Sequence, residues 1–263
     1  MPTLPIRDKI VLESFFRTNT ELHIYSLGDL DDFFWPDTTW YALTEGKTPL
    51  AIALLYTGQK LPALLALSES PSLMSELLQS IIHLLPQQFY AHLSPGLESV
   101  FAKPYKLDSY GMHFKLARHN KSAVDTFDCS HVIRLSVSDM DGVKELYKAS
   151  YPDNWFDRRM LETNYYFGLK QNKELVSIAG VHVYSATYRV AALGNITTHP
   201  SYRNNGFGTM VTARLCQALS ESVDTIGLNV KADNTAAISC YEKLGFEIIA
   251  PYKEYMITRN KEQ

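Results

Sequence analysis

GNITTHPSYRNNGFGTMVTARLCQAL, residues Gly194–Leu219, contains the strongest structural pattern in the second half of this chain. An apolar strand ends in its first residues, a loop that contains Pro200 follows, and Arg203–Gly208 leads into a helix. Apolar side chains at intervals of three and four residues give this helix one buried face. The pattern predicts a strand, a glycine-containing loop and a helix over Gly206–Ser220, in that order.

The start of this helix has the properties of an anion-binding site. The first N–H groups of a helix have no partners within it, and the helix dipole places a partial positive charge there. Gly206 and Gly208 let the backbone close on a phosphate without interference from a Cβ atom. The stretch is not a Walker loop, because no GK[ST] follows, and Val211 stands where the GxGxxG fingerprint needs its third glycine. A glycine-rich turn without a ligand is the alternative.

A second stretch, IGLNVKADNTAAISCYEKLGFE (Ile226–Glu247), follows this helix. Its first residues alternate as in a strand, Asn234 is suited to cap the next helix, and Gly245 is suited to end it. Tyr241 lies on that predicted helix. Taken singly, capping alone explains Asn234, and packing in the core explains Tyr241.

Together the two stretches resemble the GNAT acetyltransferase superfamily. The family's cofactor motif, Gln/Arg-x-x-Gly-x-Gly/Ala, is present as RNNGFG, and its Asn…Ala…Tyr-x-x-x-Gly-Phe motif as NTAAISCYEKLGF. The first motif also resembles a bacterial subgroup related to the glycine N-acyltransferase-like C-terminal domain, in which tandem domains are found. The resemblance implies an α+β fold with a strongly bent mixed sheet flanked by helices.

The resemblance also implies a site for acetyl-CoA. Pantetheine would lie between two splayed strands and pair with the backbone of one of them like an added strand. The N–H groups of the loop would hold the pyrophosphate, with Asn234 near the pantetheine and Tyr241 beside its sulfur. The cofactor-binding residues implied are Ile196, Thr197, Thr198, Arg203, Asn204, Asn205, Gly206, Phe207, Gly208, Thr209, Asn234 and Tyr241.

In the implied reaction an amine attacks the thioester directly while both substrates are bound, so catalysis rests on proximity, orientation and stabilisation of the oxyanion. Tyr241 would be the catalytic acid, since the ordinary pKa of tyrosine, about 10, is close to that of a thiol. The base is open, because VAALGNITT (Val190–Thr198) contains no carboxylate. His182, Tyr184, Asp153 or a water relay are the alternatives.

The acceptor amine is expected to contact the aromatic segment YPDNWF, Tyr151–Phe156. Trp155 and Phe156 are the candidate substrate-binding residues there, together with His182 and Tyr184, since aromatic rings suit the apolar part of a substrate. Packing of Trp155 and Phe156 between a helix and the sheet is the alternative.

A polar stretch, RHNKSAVDTFDCS (Arg118–Ser130), separates two segments that each look complete. It predicts a GNAT-like N-terminal domain at 1–124 and a catalytic domain at 125–263. Strands and helices follow in the same order in both, which indicates divergent duplication; two unrelated α+β domains are the alternative.

The first half lacks the cofactor motif. Where the loop should stand, ESPSLMSEL (Glu69–Leu77) has no glycine and two acidic residues, and carboxylates repel a phosphate. Phe101 stands where Tyr241 does in the second half and cannot donate a proton. We therefore predict that the first half does not bind coenzyme A and instead packs against or shapes the acceptor side of the active half.

Composition excludes several functions. The chain has 263 residues, 46% of them hydrophobic, with 25 basic against 28 acidic side chains and a net charge of −3. Because that charge is small, we expect neither nucleic acid nor a membrane surface as a partner. The three cysteines form no CxxC pair and the histidines show no HExxH spacing, so we expect no disulfide framework and no metal. The first residues do not resemble a signal peptide, which predicts a cytoplasmic protein; a homodimer is compatible with these features.

The leading hypothesis is an N-acetyltransferase that uses acetyl-CoA to acetylate a primary amine of a small molecule, amino acid or peptide. A non-catalytic acyl-CoA-binding regulatory or scaffold protein is the first alternative, because the strand before the loop lacks the glutamate that some family members carry. A protein-interaction module is the second, although such a module does not need a pair of glycines at a helix start.

Overall fold

The chain folds into two compact units in the computed structural model, which describes residues 3–260. The first unit runs through Lys115 and includes Lys231–Asp233 and the segment from Ile249 onward. The second unit consists of Leu116–Val230 and Asn234–Ile248. The two units are therefore not the contiguous ranges 1–124 and 125–263 predicted from the sequence.

The first unit contains most of the N-terminal half of the chain. Its elements are β1 (Thr3–Ile6), α1 (Lys9–Phe16), α2 (Ile24–Gly28), β2 (Thr38–Glu45), β3 (Thr48–Tyr56), β4 (Ala63–Ala66), α3 (Pro71–Ile81), β5 (Gln88–Leu93) and β6 (Tyr105–Arg118). Strands β1 to β4 pair with their neighbours in antiparallel fashion, and β4 pairs with β5 in parallel.

The second unit contains the candidate site. Its elements are β7 (Val132–Arg134), α4 (Met140–Ser150), β8 (Phe167–Gln171), β9 (Glu174–Ser185), β10 (Val190–Thr198), α5 (Phe207–Leu219), β11 (Thr225–Lys231) and α6 (Thr235–Lys243), followed by the start of β12 (Phe246–Arg259). Strands β7 to β10 are antiparallel to their neighbours, and β10 and β11 are parallel.

Both units repeat one topology. Three antiparallel strands are followed by a helix and by a strand parallel to the third, as β2–β3–β4, α3 and β5 in the first unit and β8–β9–β10, α5 and β11 in the second. The mixed α+β architecture predicted from the sequence is confirmed, and the two halves share their order of elements.

The last strand of the chain explains why the predicted domain boundary differs from the observed units. Residues Lys253–Thr258 of β12 pair antiparallel with Gln88–Leu93 of β5 in the first unit. Tyr255 and Ile257 join the hydrophobic core of that unit, to which α3 contributes Leu77 and Leu78. Since burying one large apolar side chain contributes about 1.5–3 kcal/mol, this core holds the C-terminal strand in place.

The predicted linker is shorter than its polar sequence indicates. Arg118 ends β6, is buried, and donates from Nη2 to Ser220 Oγ at 2.5 Å, at the C-terminal end of α5. The N–H groups of His119 and Asn120 donate to the carbonyl of Gly245 at 2.9 and 3.1 Å. These contacts attach the start of the stretch to the second unit.

Candidate active site

Strand β10 leaves its neighbour β11 part of the way along its length. The two strands pair from Val190, opposite Thr225, to Leu193, opposite Leu228. The following residues, Gly194–Thr198, stay beside β9, and within residues 3–260 no strand pairs with them on their other side. An unpaired strand edge offers N–H and C=O groups to an extended ligand, and this edge contains the predicted pantetheine-binding residues.

A β-bulge marks the point of departure. Gly194 lies opposite Gly180 and Thr197 opposite Ile178, so two residues of β10 face one residue of β9. Asn195, the first residue of the bulge, takes a left-handed φ of 54°. Because a bulge bends and twists its strand, it directs the end of β10 away from the regular sheet.

The N terminus of α5 is open to solvent. Gly206 is its N-cap with a left-handed φ of 75°, no side chain caps it, and its first bond runs from Met210 N–H to the Gly206 carbonyl at 3.0 Å. The N–H groups of Phe207–Thr209 precede that bond and are available to an anion. A Cβ on Gly208 would lie 3.3 Å from Thr198 Oγ1, so the helix approaches the end of β10 closely. This arrangement fits the phosphates of a coenzyme A thioester.

The loop before α5 is held by its own side chains. Asn204 is left-handed with φ of 64°, and Asn205 Nδ2 donates to the carbonyls of Tyr202 and Arg203 at 3.1 and 3.2 Å. Arg203 Nε donates to the carbonyl of Thr198 at 3.3 Å, so that carbonyl already has a partner within the protein.

Tyr241 combines a packed ring with a protonated hydroxyl. The residue is 7% exposed, and its ring packs edge-on against Phe246 at 6.0 Å. Burial raises the pKa of Tyr241 above its ordinary value, and neighbouring Cys240 and Tyr151 add to the effect. Cys240 Sγ lies 3.2 Å from Thr209 Oγ1, which brings α6 and the start of α5 together. Because its hydroxyl keeps the proton, Tyr241 can act as a proton donor.

Asn234 caps α6 as predicted. Its Oδ1 accepts from the N–H of Ala237 at 3.2 Å, while the residue itself is exposed. The capping explanation is therefore confirmed, and a contact with pantetheine stays a prediction.

The structure brings one of the two candidate bases on β9 to the bulge. A Cβ on Gly194 would lie 2.3 Å from the ring of His182, so the imidazole rests directly on that glycine. Tyr184 instead packs on Tyr165 at 4.5 Å between ring centroids, and the Tyr165 hydroxyl contacts Ser222 Oγ at 2.9 Å. Because Ser222 follows the C-terminal end of α5, Tyr184 lies away from the anion-binding end.

The aromatic segment before β8 divides between core and surface. Phe156 is half-buried and packs between Tyr147 and Tyr166, at centroid distances of 5.2 and 5.7 Å. Trp155 is 38% exposed, and Asp153 is exposed as well. Packing thus accounts for Phe156, whereas Trp155 is the ring of the pair that a substrate can reach.

The first unit has a closed version of the same site. The parallel pairing of β4 and β5 reaches Ala66, opposite Leu93. One residue further along β5, Ser94 Oγ accepts from Ser68 N–H at 3.0 Å and lies 3.3 Å from the Ser68 carbonyl. Helix α3 begins with Pro71, which has no N–H to offer a phosphate. No gap like the one beside β10 opens between these described strand ends.

Two further residues distinguish this closed end from the second unit. Phe101, the counterpart of Tyr241, is fully buried in the core and packs on Phe89 and Tyr105, each at 5.9 Å. Glu69 lines the cavity of about 200 Å³ at the strand ends, where its carboxylate would oppose an anion.

Sequence reasoning missed a buried polar cluster on the other face of the first unit's sheet. Glu254 accepts from the hydroxyls of Tyr90 and Tyr252, while Nε2 of His92 and of His113 lie 3.5 and 3.4 Å from its two oxygens. Burial alone would raise the pKa of Glu254, but the two imidazoles and the two hydroxyls lower it below its ordinary value. These four groups use the accepting directions of the carboxylate, so the cluster is a saturated network. The alternation of core residues in FYAHL (Phe89–Leu93) and KEYMI (Lys253–Ile257) predicts that the polar side chains share the opposite face of the sheet. The pairing of β5 with β12, which brings them together, is seen only in the structure.

Other chemistry finds no support in the described part of the chain. Within residues 3–260, no three His, Cys, Asp or Glu side chains are placed to hold a metal ion. Cys129, Cys216 and Cys240 are free thiols. No helix in this range is both long and apolar enough to cross a membrane.

Part of this chain is similar in sequence to a known protein family and to known enzymes. Residues 132–246 match the acetyltransferase (GNAT) family. The ribosomal protein bS18-alanine N-acetyltransferase of Escherichia coli (strain K12) is 34% identical over 93 residues, which are 35% of this chain and 61% of that enzyme. This chain thus spans less than two thirds of that relative's length.

Solved structures extend the similarity to the whole chain. A Drosophila protein has a TM-score of 0.72 at 12% identity, covering 97% of this chain and 98% of that one. A tandem GNAT protein from the clavulanic acid biosynthesis pathway has a TM-score of 0.59 at 13% identity, covering 100% and 99%. At these identities the likeness establishes the fold alone. The chain therefore has the GNAT fold, and its residues 132–246 match the model of the GNAT acetyltransferase family.

Proposed function

We propose that this chain is an N-acetyltransferase that transfers an acetyl group from acetyl-CoA to a primary amine of a small molecule, amino acid or peptide. The observation that carries the proposal is the uncapped N terminus of α5 beside the unpaired edge of β10. The match to the GNAT family supports an acyltransferase, and the name of the Escherichia coli relative suggests an N-terminal alanine as the first acceptor to test.

The residues present fit a coenzyme A thioester. The N–H groups of Phe207–Thr209 would hold the pyrophosphate, and the edge Ile196–Thr198 would pair with the pantetheine. Acetyl-CoA would supply the acetyl group as an activated thioester. Because backbone N–H groups bind the anion, the chain needs no basic surface, in agreement with its net charge of −3.

Two side chains have proton-transfer roles in this proposal. Tyr241 keeps its proton, since burial raises its pKa, and would donate it to the leaving thiolate. His182, seated on Gly194 at the bulge, is the candidate to accept the proton of the amine, directly or through water. Proximity and orientation of the two substrates supply the rest of the catalysis.

We further propose that the first unit is a GNAT-like domain without a cofactor site. The bond between Ser68 and Ser94, the proline at the start of α3 and the carboxylate of Glu69 all support this. An origin close to the glycine N-acyltransferase-like subgroup is consistent with two such units in one chain.

A regulatory protein that binds acyl-CoA without turnover is the second candidate. The observation that favours it is the lack of any carboxylate along Val190–Thr198. Retention of Tyr241 favours the enzyme, because binding alone does not need a proton donor there.

Release of free thiol from acetyl-CoA tests the enzyme. The acceptor is a peptide that begins with alanine, its control is the same peptide with an acetylated N terminus, and a panel of amines and amino acids follows. We expect release that requires both the chain and a free amine. Binding of acetyl-CoA without release from any amine would favour the regulatory candidate, and absence of binding at millimolar acetyl-CoA would overturn both.

A further inference from the structure

We propose that Tyr147 and Asn195 are positioning residues that hold the bulge of β10, and with it the open edge at which the acyl donor binds. The inference rests on the proposed function for its consequence in catalysis. Neither residue belongs to the cofactor motif, and neither is placed to touch the reacting atoms by the contacts described above.

The bulge adopts a conformation that its own residue does not favour. A non-glycine residue with φ of 54° is uncommon, although Asn is among the residues that tolerate it best. Asn195 is also only 3% exposed, in the middle of a strand whose other inner residues are apolar. The surrounding structure must therefore hold this conformation against the strand's preference for regular pairing.

Hydrogen bonds with two tyrosines hold Asn195 in this conformation. The hydroxyl of Tyr147, on α4, donates to the backbone carbonyl of Asn195 at 2.9 Å. Asn195 Nδ2 donates to the hydroxyl of Tyr166 at 3.0 Å, and Tyr166 donates in turn to the carbonyl of Val181 at 3.2 Å. Burial raises the pKa of both tyrosines, so both stay protonated and can donate. The backbone and the side chain of Asn195 are thus fixed from two different elements.

The orientation of the Asn195 amide has a cost. Tyr166 has a single proton, for which the Val181 carbonyl at 3.2 Å and Met160 Sδ at 3.3 Å are the acceptors, so its oxygen accepts from the amide nitrogen of Asn195. The amide oxygen, Oδ1, is left buried and without a hydrogen-bond partner among residues 3–260. A buried acceptor without a partner costs free energy, so the contacts of Asn195 with Tyr147 and Tyr166 must outweigh that cost for the bulge to persist.

The consequence lies at the neighbouring residues. Pairing of β10 with β11 ends at Leu193, two residues before Asn195 in the chain, and the predicted ligand edge begins at Ile196. If the bulge relaxes, Ile196–Thr198 shift along β9 and change which of their N–H and C=O groups face the ligand. The loss should fall on binding of the acyl donor rather than on proton transfer, since Gly194, on which His182 rests, precedes the bulge and pairs with Gly180.

Single-residue variants of the full chain test the proposal. Tyr147→Phe removes the hydroxyl and keeps the ring against Phe156. Asn195→Ala removes the amide and disfavours the left-handed backbone, whereas Asn195→Gly removes the amide but allows that backbone. Tyr188→Phe is the matched control, since Tyr188 is also buried in the second unit but precedes β10 at its opposite end.

The readouts are calorimetric Kd for acetyl-CoA, KM and kcat with the best acceptor found, thermal unfolding, and amide hydrogen exchange over residues 190–198. We expect Tyr147→Phe and Asn195→Ala to raise Kd and KM for acetyl-CoA about tenfold, the size of the left-handed backbone penalty, with kcat at saturation nearly unchanged. Asn195→Gly should recover most of the affinity. Exchange at Asn195–Thr198 should become faster in Tyr147→Phe and stay unchanged in Tyr188→Phe.

The outcomes separate the two proposals. Wild-type affinity and exchange in both Tyr147→Phe and Asn195→Ala would overturn the positioning role while leaving the proposed function intact. An equal loss in Tyr188→Phe would show general destabilisation and would also overturn it. A wild-type chain that does not bind acetyl-CoA would instead overturn the proposed function and, with it, the catalytic consequence of the bulge.

Discussion

Replacement of Tyr241 by Phe should slow acetyl transfer without loss of cofactor binding. The change removes one hydroxyl from a residue that is 7% exposed and leaves the edge-on packing on Phe246 in place. Because the ring stays, we expect the free energy of unfolding to change by about 1 kcal/mol or less.

The effect on rate follows from the protonation state of the phenol. Burial raises the pKa of Tyr241, so the wild-type hydroxyl carries its proton throughout the neutral and mildly alkaline range. A positioned acid contributes about 10²–10⁴-fold to the rate. Loss of kcat by that factor corresponds to about 3–5 kcal/mol of transition-state stabilisation.

The assay is thiol release at saturating acetyl-CoA and acceptor, with Kd for acetyl-CoA measured separately by calorimetry. Tyr188→Phe serves as the control for removal of a tyrosine hydroxyl within the same unit. We expect a kcat reduced at least a hundredfold with Kd within about threefold of wild type. A kcat within twofold of the wild-type value would refute the role of Tyr241 as the acid. Equal loss of binding and rate would assign it to packing of the site instead.

Three further predictions concern single positions. Gly206 has a left-handed backbone that alanine disfavours, so Gly206→Ala should lower stability by about 1–2 kcal/mol and weaken acetyl-CoA binding. Gly46→Ala is the control, since Gly46 is also left-handed, with φ of 60° in the first unit; it should lower stability in chemical denaturation and leave the calorimetric affinity unchanged. Unchanged affinity in Gly206→Ala would contradict the anion site. Burial lowers the pKa of Lys115 from 10.5 to about 7, so above pH 7 the unfolded chain binds more protons than the folded chain. In urea unfolding, the stability of wild type relative to Lys115→Met should therefore rise by about 1.4 kcal/mol per pH unit between about pH 7.5 and 9.5. A difference that does not depend on pH would contradict this. Glu254→Gln should destabilise the chain by about 3 kcal/mol at pH 7. Because the pKa of Glu254 is lowered in the folded chain, this difference in stability should shrink as the pH falls below 4.5. A difference that stays constant to pH 3 would show that the carboxylate charge does not stabilise the fold.

Local signals predicted the elements well where the pattern is strong. The alternation of Thr225–Lys231 and the periodicity of Lys9–Phe16 predict β11 and α1 with their observed bounds. The apolar pattern alone predicts two short strands near Tyr105–Leu107 and Met112–Leu116, and two more around Phe246–Ile249 and Glu254–Thr258. Each pair is instead one strand, β6 and β12, because Gly111 and Pro251 interrupt the pattern without ending the strand. Pairing with neighbours, which no local pattern contains, overrides these breaks.

Domain membership could not be predicted for the same reason. The C-terminal strand follows the second unit in the chain but pairs with β5 of the first. A linear boundary at 124 assumes that neighbours in sequence are neighbours in space. The partner of Lys253–Thr258 depends on contacts formed with residues more than a hundred positions away.

The candidate site shows a similar division. RNNGFG and Tyr241 are recognisable because their chemistry lies in one short stretch each. Asn195 has a visible signal, since Gly194-Asn195 interrupts an apolar strand, but its meaning depends on Tyr147 and Tyr166, which come from other elements. Tyr184 is two residues from His182 on the same strand, which made it a second candidate base. Its ring instead packs on Tyr165 near the C-terminal end of α5.

The number of acetyl-CoA molecules bound per chain distinguishes one cofactor site from two. An open edge beside β10 and a closed one between Ser68 and Ser94 predict one site, located in the second unit. Calorimetric titration of acetyl-CoA into the full chain should therefore give a stoichiometry of one, with affinity reduced in Gly206→Ala. A stoichiometry of two, or no binding, would contradict the account.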